Sequence, residues 1–440
     1  MSEDEPTKQP SDSVLTRRRL LQSGGAAAAA LGGAMGQPAR AQEGAAGPNA
    51  GREFLAFVRS GTGVGVETLA LNAIQPREVL IRTEASCGCY SITPYALGTR
   101  NYATPTIMNH TGMGVVEEVG SMVKRVQPGD RVIVAGTPQC GHCYQCLQGR
   151  ADHCQQLAGV DVHPIATRAD GTGVVPMSGL GGIAELMVVA EEYCCPVFTD
   201  LPASQLAMLA DTTGTGLAAT MNLVRVHAGS DVAVMGCGPL GLAAVQGARI
   251  MGAAQIVAID PIPERRELAL ATGATHALNP NELGNDLVAA VRDLCRGTTN
   301  RLWAGGVGPR GRGPDYVFEA VGGDLFPPVA PAGPDPTGIQ PLRQCWDMVK
   351  PGGHIVTHGI GQQGQVSFPA AGFCISGKTF HAGQQGGMNM LRDLPRFVKL
   401  IESGHFDAAA LTTHTYPLAQ ARQLFQDVAD RTVIGANVVF

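Results

Sequence analysis

The chain is short of aromatic residues and of charge: Phe, Trp and Tyr make up 5% of its 440 residues, and Asp, Glu, Lys and Arg 16%. Few aromatics leave little surface on which bases could stack. A net charge of -5 without a basic stripe leaves nothing to neutralise a row of phosphates. Both absences argue against a nucleic-acid partner. No apolar run reaches the roughly 20 residues that a membrane helix needs, so no stable span is expected in the mature chain. Disorder is excluded in turn, because 44% of the residues are hydrophobic and can build a core. The length is too great for one average domain and predicts two, with additional segments.

Residues 1–50 do not read as part of a fold. Arg17, Arg18 and Arg19 precede an apolar Gly/Ala run over 24–36, and Ala39-Arg40-Ala41 offers a small-x-small cleavage site before Gln42. Basic, apolar, then small residues is the order of a signal peptide. Consecutive arginines ahead of a mildly apolar run resemble a twin-arginine signal. The competing reading is an alanine-rich disordered tail. The expectation is a twin-arginine signal peptide over 1–41, a linker over 42–51, and a periplasmic protein exported already folded; without the signal, the protein is cytoplasmic.

From residue 53 to about 197, short β-branched segments such as 79–83, 114–119 and 131–135 alternate with Gly and Pro turns. From Asp231 the rhythm changes. Strands are predicted at 231–235, 255–260, 315–319 and 354–357, with helices at 239–251, 263–272 and near 283–295. That alternation indicates an α/β, doubly wound parallel sheet. A Pro- and Gly-rich stretch over 321–341 reads as a surface insertion.

Glycine, with 58 residues, and cysteine, with 12, are where the sequence becomes specific. Gly236-Cys237-Gly238-Pro239-Leu240-Gly241 ends a predicted strand and opens a helix. Glycines there permit a tight turn and close approach of the backbone to a pyrophosphate at the helix N-terminus. Asp260, closing the next strand, would accept hydrogen bonds from a ribose 2′-hydroxyl and repel a 2′-phosphate, which favours NAD over NADP. Cys237 reads as a small packing residue. Cys140, Cys143, Cys146 and Cys154 follow the spacing C-x2-C-x2-C-x7-C. Four thiolates so close in sequence can surround one tetrahedral zinc, with His142 and His153 left to solvent; two disulfides are the rival reading. A site filled by four sulfurs is closed, hence structural.

Together these features resemble the medium-chain dehydrogenase/reductase superfamily, specifically its zinc-containing alcohol dehydrogenases. The resemblance runs from about Arg52 to Phe440 and leans most on the quartet, on 126–132 (VQPGDRV) and on 349–353 (VKPGG). It implies a GroES-like β-rich catalytic domain over 52–212 and 385–440, with a Rossmann NAD-binding domain over 213–384 between them. It also implies a second, catalytic zinc with an open position. Cys89, two residues before Ser91, would be its first ligand, with Cys87 as a nearby competitor; His110 and Asp211 would be the others. Ser91 matches the hydroxyl that takes the alcohol proton. The implied reaction moves a hydride between a zinc-bound alcohol, aldehyde or ketone and NAD, in a dimer or tetramer. A lyase or hydratase using the metal without net hydride transfer is the alternative. An exported enzyme would need to keep its NAD bound, with a second substrate or an external electron acceptor resetting it. The chain departs from the family pattern at Tyr90, Ile92, Pro94, Asn109 and Thr111, and 433–437 lacks an expected arginine.

Overall fold

The computed structural model describes residues 47–440 except 62, 99–101, 159–161, 297–311, 327–334, 336 and 360–364; the expected signal segment lies outside the described residues. In β1 (Glu53–Gly61), Phe54 and Ala56 are buried while Glu53 and Leu55 face outward. This is the alternation of a sheet with one wet face. β1 joins β2 (Gly63–Leu71), β7 (Ala166–Thr167), β8 (Gly173–Pro176) and β4 (Tyr102–Ile107) in a closed barrel, which leaves no free edge. A second sheet centres on β3 (Glu78–Cys87). It also holds β5 (Gly112–Val119), β6 (Arg131–Val134), β9 (Leu186–Ala190) and β10 (Cys194–Pro196). The last strands of the chain, β17 (His414–Pro417) and β18 (Ala436–Val439), return to this sheet. β18 sets Asn437 opposite Cys87, so the C-terminus braces the strand that delivers Cys89.

The remaining sheet is parallel throughout: β11 (Asp231–Met235), β12 (Gln255–Ile259), β13 (His276–Leu278), β14 (Tyr316–Glu319), β15 (His354–Thr357) and β16 (Thr379–His381). Their spatial order is β13-β12-β11-β14-β15-β16. The chain therefore leaves β11 first to one side and later to the other, which opens a crevice at the strands' carboxyl ends. Val232 to Met235 are all buried, the unbroken apolar run of a strand covered on both faces. Leu242 and Val245 of the following helix, Pro239–Ile250, join Val234 and Ile256 in one core cluster. Burying such side chains contributes about 1.5–3 kcal/mol each. Pro239 starts this helix where a missing N–H leaves no bond unmade.

One sequence expectation shifts and another is sharpened. The helix expected near 283–295 is broken: a single turn at Pro280–Leu283 ends at Gly284, whose φ of +51° suits glycine, and Leu287–Leu294 then begins afresh. The stretch over 321–341 is a surface insertion that shapes the pocket, because Val321, Gly322, Asp324, Leu325 and Pro341 line the main cavity. It leaves the carboxyl end of β14, and any loop starting there borders the crevice.

Candidate metal centres and dinucleotide cleft

Cys140, Cys143, Cys146 and Cys154 hold their Sγ atoms within 4.8 Å of one another. The gaps are 4.0 Å between Cys140 and Cys146 and 4.0 Å between Cys143 and Cys154. A tetrahedron with bonds of about 2.3 Å has edges near 3.8 Å, so one zinc fits the cage without rearrangement. All four cysteines are free thiols. Backbone N–H groups of Cys140, Cys143 and Gln155 donate to Cys154, Cys140 and Cys143 sulfurs respectively. The Gln155 and Cys146 amides bring the Cys143 thiol down to about 6, whereas burial outweighs such donors at Cys154 and at Cys146, which it pushes up to about 12. His142 and His153 are exposed.

The second cluster is assembled from distant segments. Cys89 follows β3, His110 lies just beyond β4, and Asp211 separates the helices Ala203–Leu209 and Thr212–Ala218. Their ligand atoms also lie within 4.8 Å of one another. Asp211 occupies the N-cap position of Thr212–Ala218 but makes no capping hydrogen bond. A capping aspartate ordinarily accepts from the first turn; this one turns its carboxylate to the cluster instead. Asp211 Oδ2 stands 3.2 Å from His110 Nε2 and is buried with no properly directed hydrogen bond. A sulfur, an imidazole nitrogen and a carboxylate oxygen converging in this way form a donor set that fits zinc.

Without a cation the three groups compete for protons. Burial alone would lower the His110 imidazole, but Asp211 and then Cys89 override it and raise it to about 10. Burial and the Asp211 charge raise the Cys89 thiol. The Asp211 carboxyl sits below its ordinary value because its contacts with His110 outweigh burial. Cys87 stays outside the cluster: it is fully buried, and burial followed by the Asp211 charge pushes its thiol up to about 12.

Two positioning residues were not foreseen. Asn109, at φ +80°, bends the chain after β4 so that His110 turns inward. Asparagine is among the few residues that tolerate this left-handed region, where the resemblance expects glycine. Its Nδ2 also donates to Ser86 Oγ at 2.7 Å and to the Cys87 carbonyl at 2.9 Å, tying the His110 segment to the Cys89 segment. Gln385, at φ +45°, donates from Nε2 to the Ala210 carbonyl at 3.0 Å and accepts from Thr137 Oγ1 at 2.8 Å. It steadies the Asp211 backbone from the far side. A non-glycine residue ahead of the candidate histidine and the glycines around Gln385 were the only traces of these roles in the sequence.

The cavity joins this cluster to the glycine turn: Cys89, Ser91 and Thr212 line it together with Gly236, Gly238, Pro239, Leu240 and Asp260. Ser91 Oγ is 3.0 Å from Cys89 Sγ. Gly236 has φ +91°, and a side chain there would meet the Ala320 backbone at 2.9 Å. At Gly241 a Cβ would fall 1.7 Å from the Gly236 carbonyl oxygen, so helix and turn can approach only with glycine. Asp260 accepts from the Cys237 N–H at 2.7 Å and the Ile262 N–H at 2.8 Å, which fixes its carboxylate beside the turn. Cys237 is buried, as a packing residue should be. Pro94 and Ile92 are buried and carry no titratable group. His110 Nδ1 is buried without a partner. Tyr90 donates to the Phe326 carbonyl at 3.0 Å, Arg431 pairs with Asp324, and Arg265 donates to the Val433 carbonyl at 3.2 Å.

A parallel six-stranded sheet with a phosphate-binding turn, and a mixed-donor metal cluster opening on the same cleft, define a metal-dependent, dinucleotide-linked oxidoreductase. Comparison with known proteins narrows this class. Residues 75–199 match the family model of the alcohol dehydrogenase GroES-like domain, and residues 239–330 that of the zinc-binding dehydrogenases. S-(hydroxymethyl)glutathione dehydrogenase of Photobacterium damsela subsp. piscicida is 29% identical over 86% of this chain and 98% of its own. Alcohol dehydrogenase class-3 of Myxine glutinosa is 26% identical, over 82% of this chain and 90% of its own. Among solved structures, an alcohol dehydrogenase zinc-binding domain protein from Burkholderia ambifaria superposes with a TM-score of 0.76 at 28% identity, covering 88% of this chain and 99% of that one. Benzyl alcohol dehydrogenase from Acinetobacter calcoaceticus shares the fold, with a TM-score of 0.74 at 24% identity over 88% and 99% of the two chains. These matches support a zinc-containing alcohol dehydrogenase of the medium-chain dehydrogenase/reductase superfamily. The chain is thus a zinc-dependent, NAD-linked oxidoreductase of a family that uses one catalytic and one structural zinc. The lyase alternative finds no support.

Proposed function

We propose that the protein oxidises an alcohol, or reduces the matching aldehyde or ketone, at Cys89, His110 and Asp211. The observation that carries this reading is that Cys89 and Ser91 share one cavity with the Gly236–Gly241 turn and Asp260. Cys89, His110 and Asp211 would hold zinc, which would supply Lewis-acid polarisation of a substrate oxygen, and the cleft would hold NAD, the hydride acceptor or donor of the reaction. Ser91 Oγ, on the cavity wall, takes the hydroxyl proton; Pro94 and Ile92 offer it no onward path. The turn's backbone N–H groups hold the pyrophosphate, and Asp260 orients the ribose. Mixing the protein with a panel of alcohols and NAD should change nicotinamide absorbance. No change with any alcohol or carbonyl would refute the reading.

The mature protein is exported on the arginine pair Arg17-Arg18 and carries its NAD as a retained group. Supporting retention, three ties cross the cleft: Tyr90 to Phe326, Arg431 to Asp324 and Arg265 to Val433. A second substrate or external electron acceptor then resets the nicotinamide in place. Denaturing protein purified without added cofactor should release NAD(H); an empty supernatant rejects retention. Replacing Arg17 and Arg18 by Lys should leave unprocessed protein in the cytoplasm, whereas unaltered export would reject the signal.

The protein works as a homo-oligomer. In support, Phe373 (57% exposed) and Ile375 (75%) project from the helix Ala370–Ile375 beside the edge strand β16. An apolar face next to an unpaired sheet edge suits a second copy. Sedimentation should give a dimer or tetramer, and a monomer at micromolar concentration would reject it. Among the described residues no helix is long and apolar enough to cross a membrane.

A further inference from the structure

A buried imidazole faces the cleft outside both metal clusters, the glycine turn and the ties that cross it. His358 directly follows β15 and lines the cavity with Ser91, Gly238 and Gly322. Its Nε2 is shielded from solvent and has no hydrogen-bond partner. The ring lies against the backbone of Gly383, in the loop after β16. The Gly383 backbone acts to raise the imidazole, as a carbonyl accepting from the ring does, and with Nε2 unpartnered that contact falls to Nδ1. A neutral imidazole has one N–H. With it committed to Gly383, Nε2 is left as a bare acceptor. Burial pushes the imidazole down to about 4 and the Gly383 bond opposes it only in part, so the acceptor persists at neutral pH.

The ring is held in place from behind. His358 N–H donates to the Glu319 carbonyl at 3.0 Å. The Glu319 carboxylate takes Thr357 Oγ1 at 2.9 Å and the N–H groups of Val321 and Gly322 at 2.9 Å each. A preset acceptor with nothing to accept is a costly arrangement unless a ligand completes it.

Its position names the part of the ligand it meets. With the pyrophosphate at the turn after β11 and Asp260 marking the adenosine half beyond β12, the opposite half of a dinucleotide lies over β14 and β15. His358 ends β15, and the Gly383 loop runs on to Gln385 beside Ala210 and the metal cluster. The nicotinamide ring therefore belongs here, and its carboxamide N–H groups are the hydrogen-bond donors it carries. We infer that His358 Nε2 accepts a hydrogen bond from the nicotinamide carboxamide and so fixes the face that the ring turns to the metal cluster. This rests on the NAD reading above.

The test uses zinc-loaded protein freed of dinucleotide, with three probes titrated by calorimetry: NAD, 3-acetylpyridine adenine dinucleotide, whose methyl ketone lacks the N–H donors, and ADP-ribose, which lacks the ring. The wild-type protein should prefer NAD over the acetylpyridine analogue by roughly three- to tenfold, the range for one neutral hydrogen bond. In His358→Leu the preference should collapse to less than about twofold with ADP-ribose affinity unchanged, and His358→Gln, which keeps an acceptor, should recover part of it. An undiminished preference in His358→Leu overturns the proposal. So does a loss of ADP-ribose binding as large as that of NAD, which would make the residue structural. If the wild-type protein binds neither NAD nor ADP-ribose, the NAD reading itself falls, an outcome distinct from both.

Discussion

The two metal clusters of this chain are built on opposite plans. The quartet gathers four sulfurs from a single loop between Cys140 and Cys154, and none of the four lines the main cavity. The triad gathers sulfur, nitrogen and oxygen from segments 21 and 101 residues apart, and Cys89 opens onto the cleft. Local spacing closes the first cage almost by itself, whereas the second exists only once three strands, two helix ends and the Gln385 loop are in place. Four equal soft ligands leave no position for substrate; three unlike ones leave a fourth.

Removing one ligand from each cluster separates the two plans most sharply. Asp211→Ala should abolish turnover, by about a thousandfold or more, and lower zinc from two ions per chain to one, with the fold retained. Cys146→Ser should also halve the zinc but act on stability, costing several kcal/mol because structural zinc binding is folding free energy. Metal analysis together with thermal unfolding distinguishes them. If Asp211→Ala keeps two zinc ions and full activity, the triad is not a metal site.

The same contrast governs what the sequence could disclose. Strands 231–235 and 354–357 and the helix 263–272 were legible to the residue, because apolar runs bounded by Gly, Pro and caps are local signals. The quartet was legible for the same reason. The triad members could be proposed only through resemblance, since nothing local in Asp211 says that its carboxylate will abandon the helix it caps. Asn109 looked like a bare departure from pattern until its φ of +80° showed it doing what glycine does, with two hydrogen bonds added. Gln385 and His358 were invisible, because a partner carbonyl 175 residues away or an unfilled acceptor leaves no periodicity. The 321–341 stretch was legible as a surface insertion that shapes the pocket; strand order adds the reason, since it leaves the crevice side of the sheet.

Protonation should sharpen the comparison further. In the zinc-free chain the His110 imidazole, raised to about 10, and the raised Cys89 thiol are both protonated at pH 7, while the lowered Asp211 carboxyl is ionised. Zinc entering the triad must therefore expel about two protons, so its affinity should fall by roughly a hundredfold for each unit of acidification near pH 7. At the quartet, Cys143 at about 6 is already a thiolate, whereas burial raises Cys154 and pushes Cys146 up to about 12, so zinc must expel protons there too. Calorimetry in buffers of different ionisation enthalpy counts the protons released at each site; a pH-independent triad affinity would contradict this protonation. Without zinc, the pair's contribution to stability through His110 is complete below its unfolded value of about 6.5 and is lost as pH rises through about 10. The contribution through Asp211 is complete above its unfolded value of about 3.9 and is lost on acidification below it.

Smaller effects should follow from the residues that aim the triad. Asn109→Ala forces a Cβ residue without the asparagine's hydrogen bonds into φ +80°, and should cost about 2 kcal/mol by denaturant unfolding. Asn109→Gly relieves the backbone and loses only the bonds to Ser86 and Cys87, for about 1 kcal/mol. Equal losses would show that the left-handed backbone is not what constrains this position. Neither change should alter the zinc at the quartet, which shares no residue with this network.

The smallest expected effect concerns the cleft rather than the metals. Arg431, on the C-terminal return of the chain, pairs with Asp324, which follows β14, and both line the cavity between the metal cluster and the glycine turn. Tyr90, next to the ligand Cys89, ties to Phe326 of the same segment. A dinucleotide held beneath these ties would leave only when they part, so their strength should enter the release rate and not the chemistry. Asp324→Asn removes the charge but keeps the size and a hydrogen-bond acceptor. It should speed NADH release by about three- to tenfold, as expected for weakening one part-buried ion pair. Stopped-flow displacement with nicotinamide fluorescence as the readout measures this directly, and zinc content should stay at two. Tyr90→Phe should give a smaller acceleration in the same direction, because a single neutral hydrogen bond is lost. Release unchanged in both variants would mean that the segment covers the cleft without holding what lies in it.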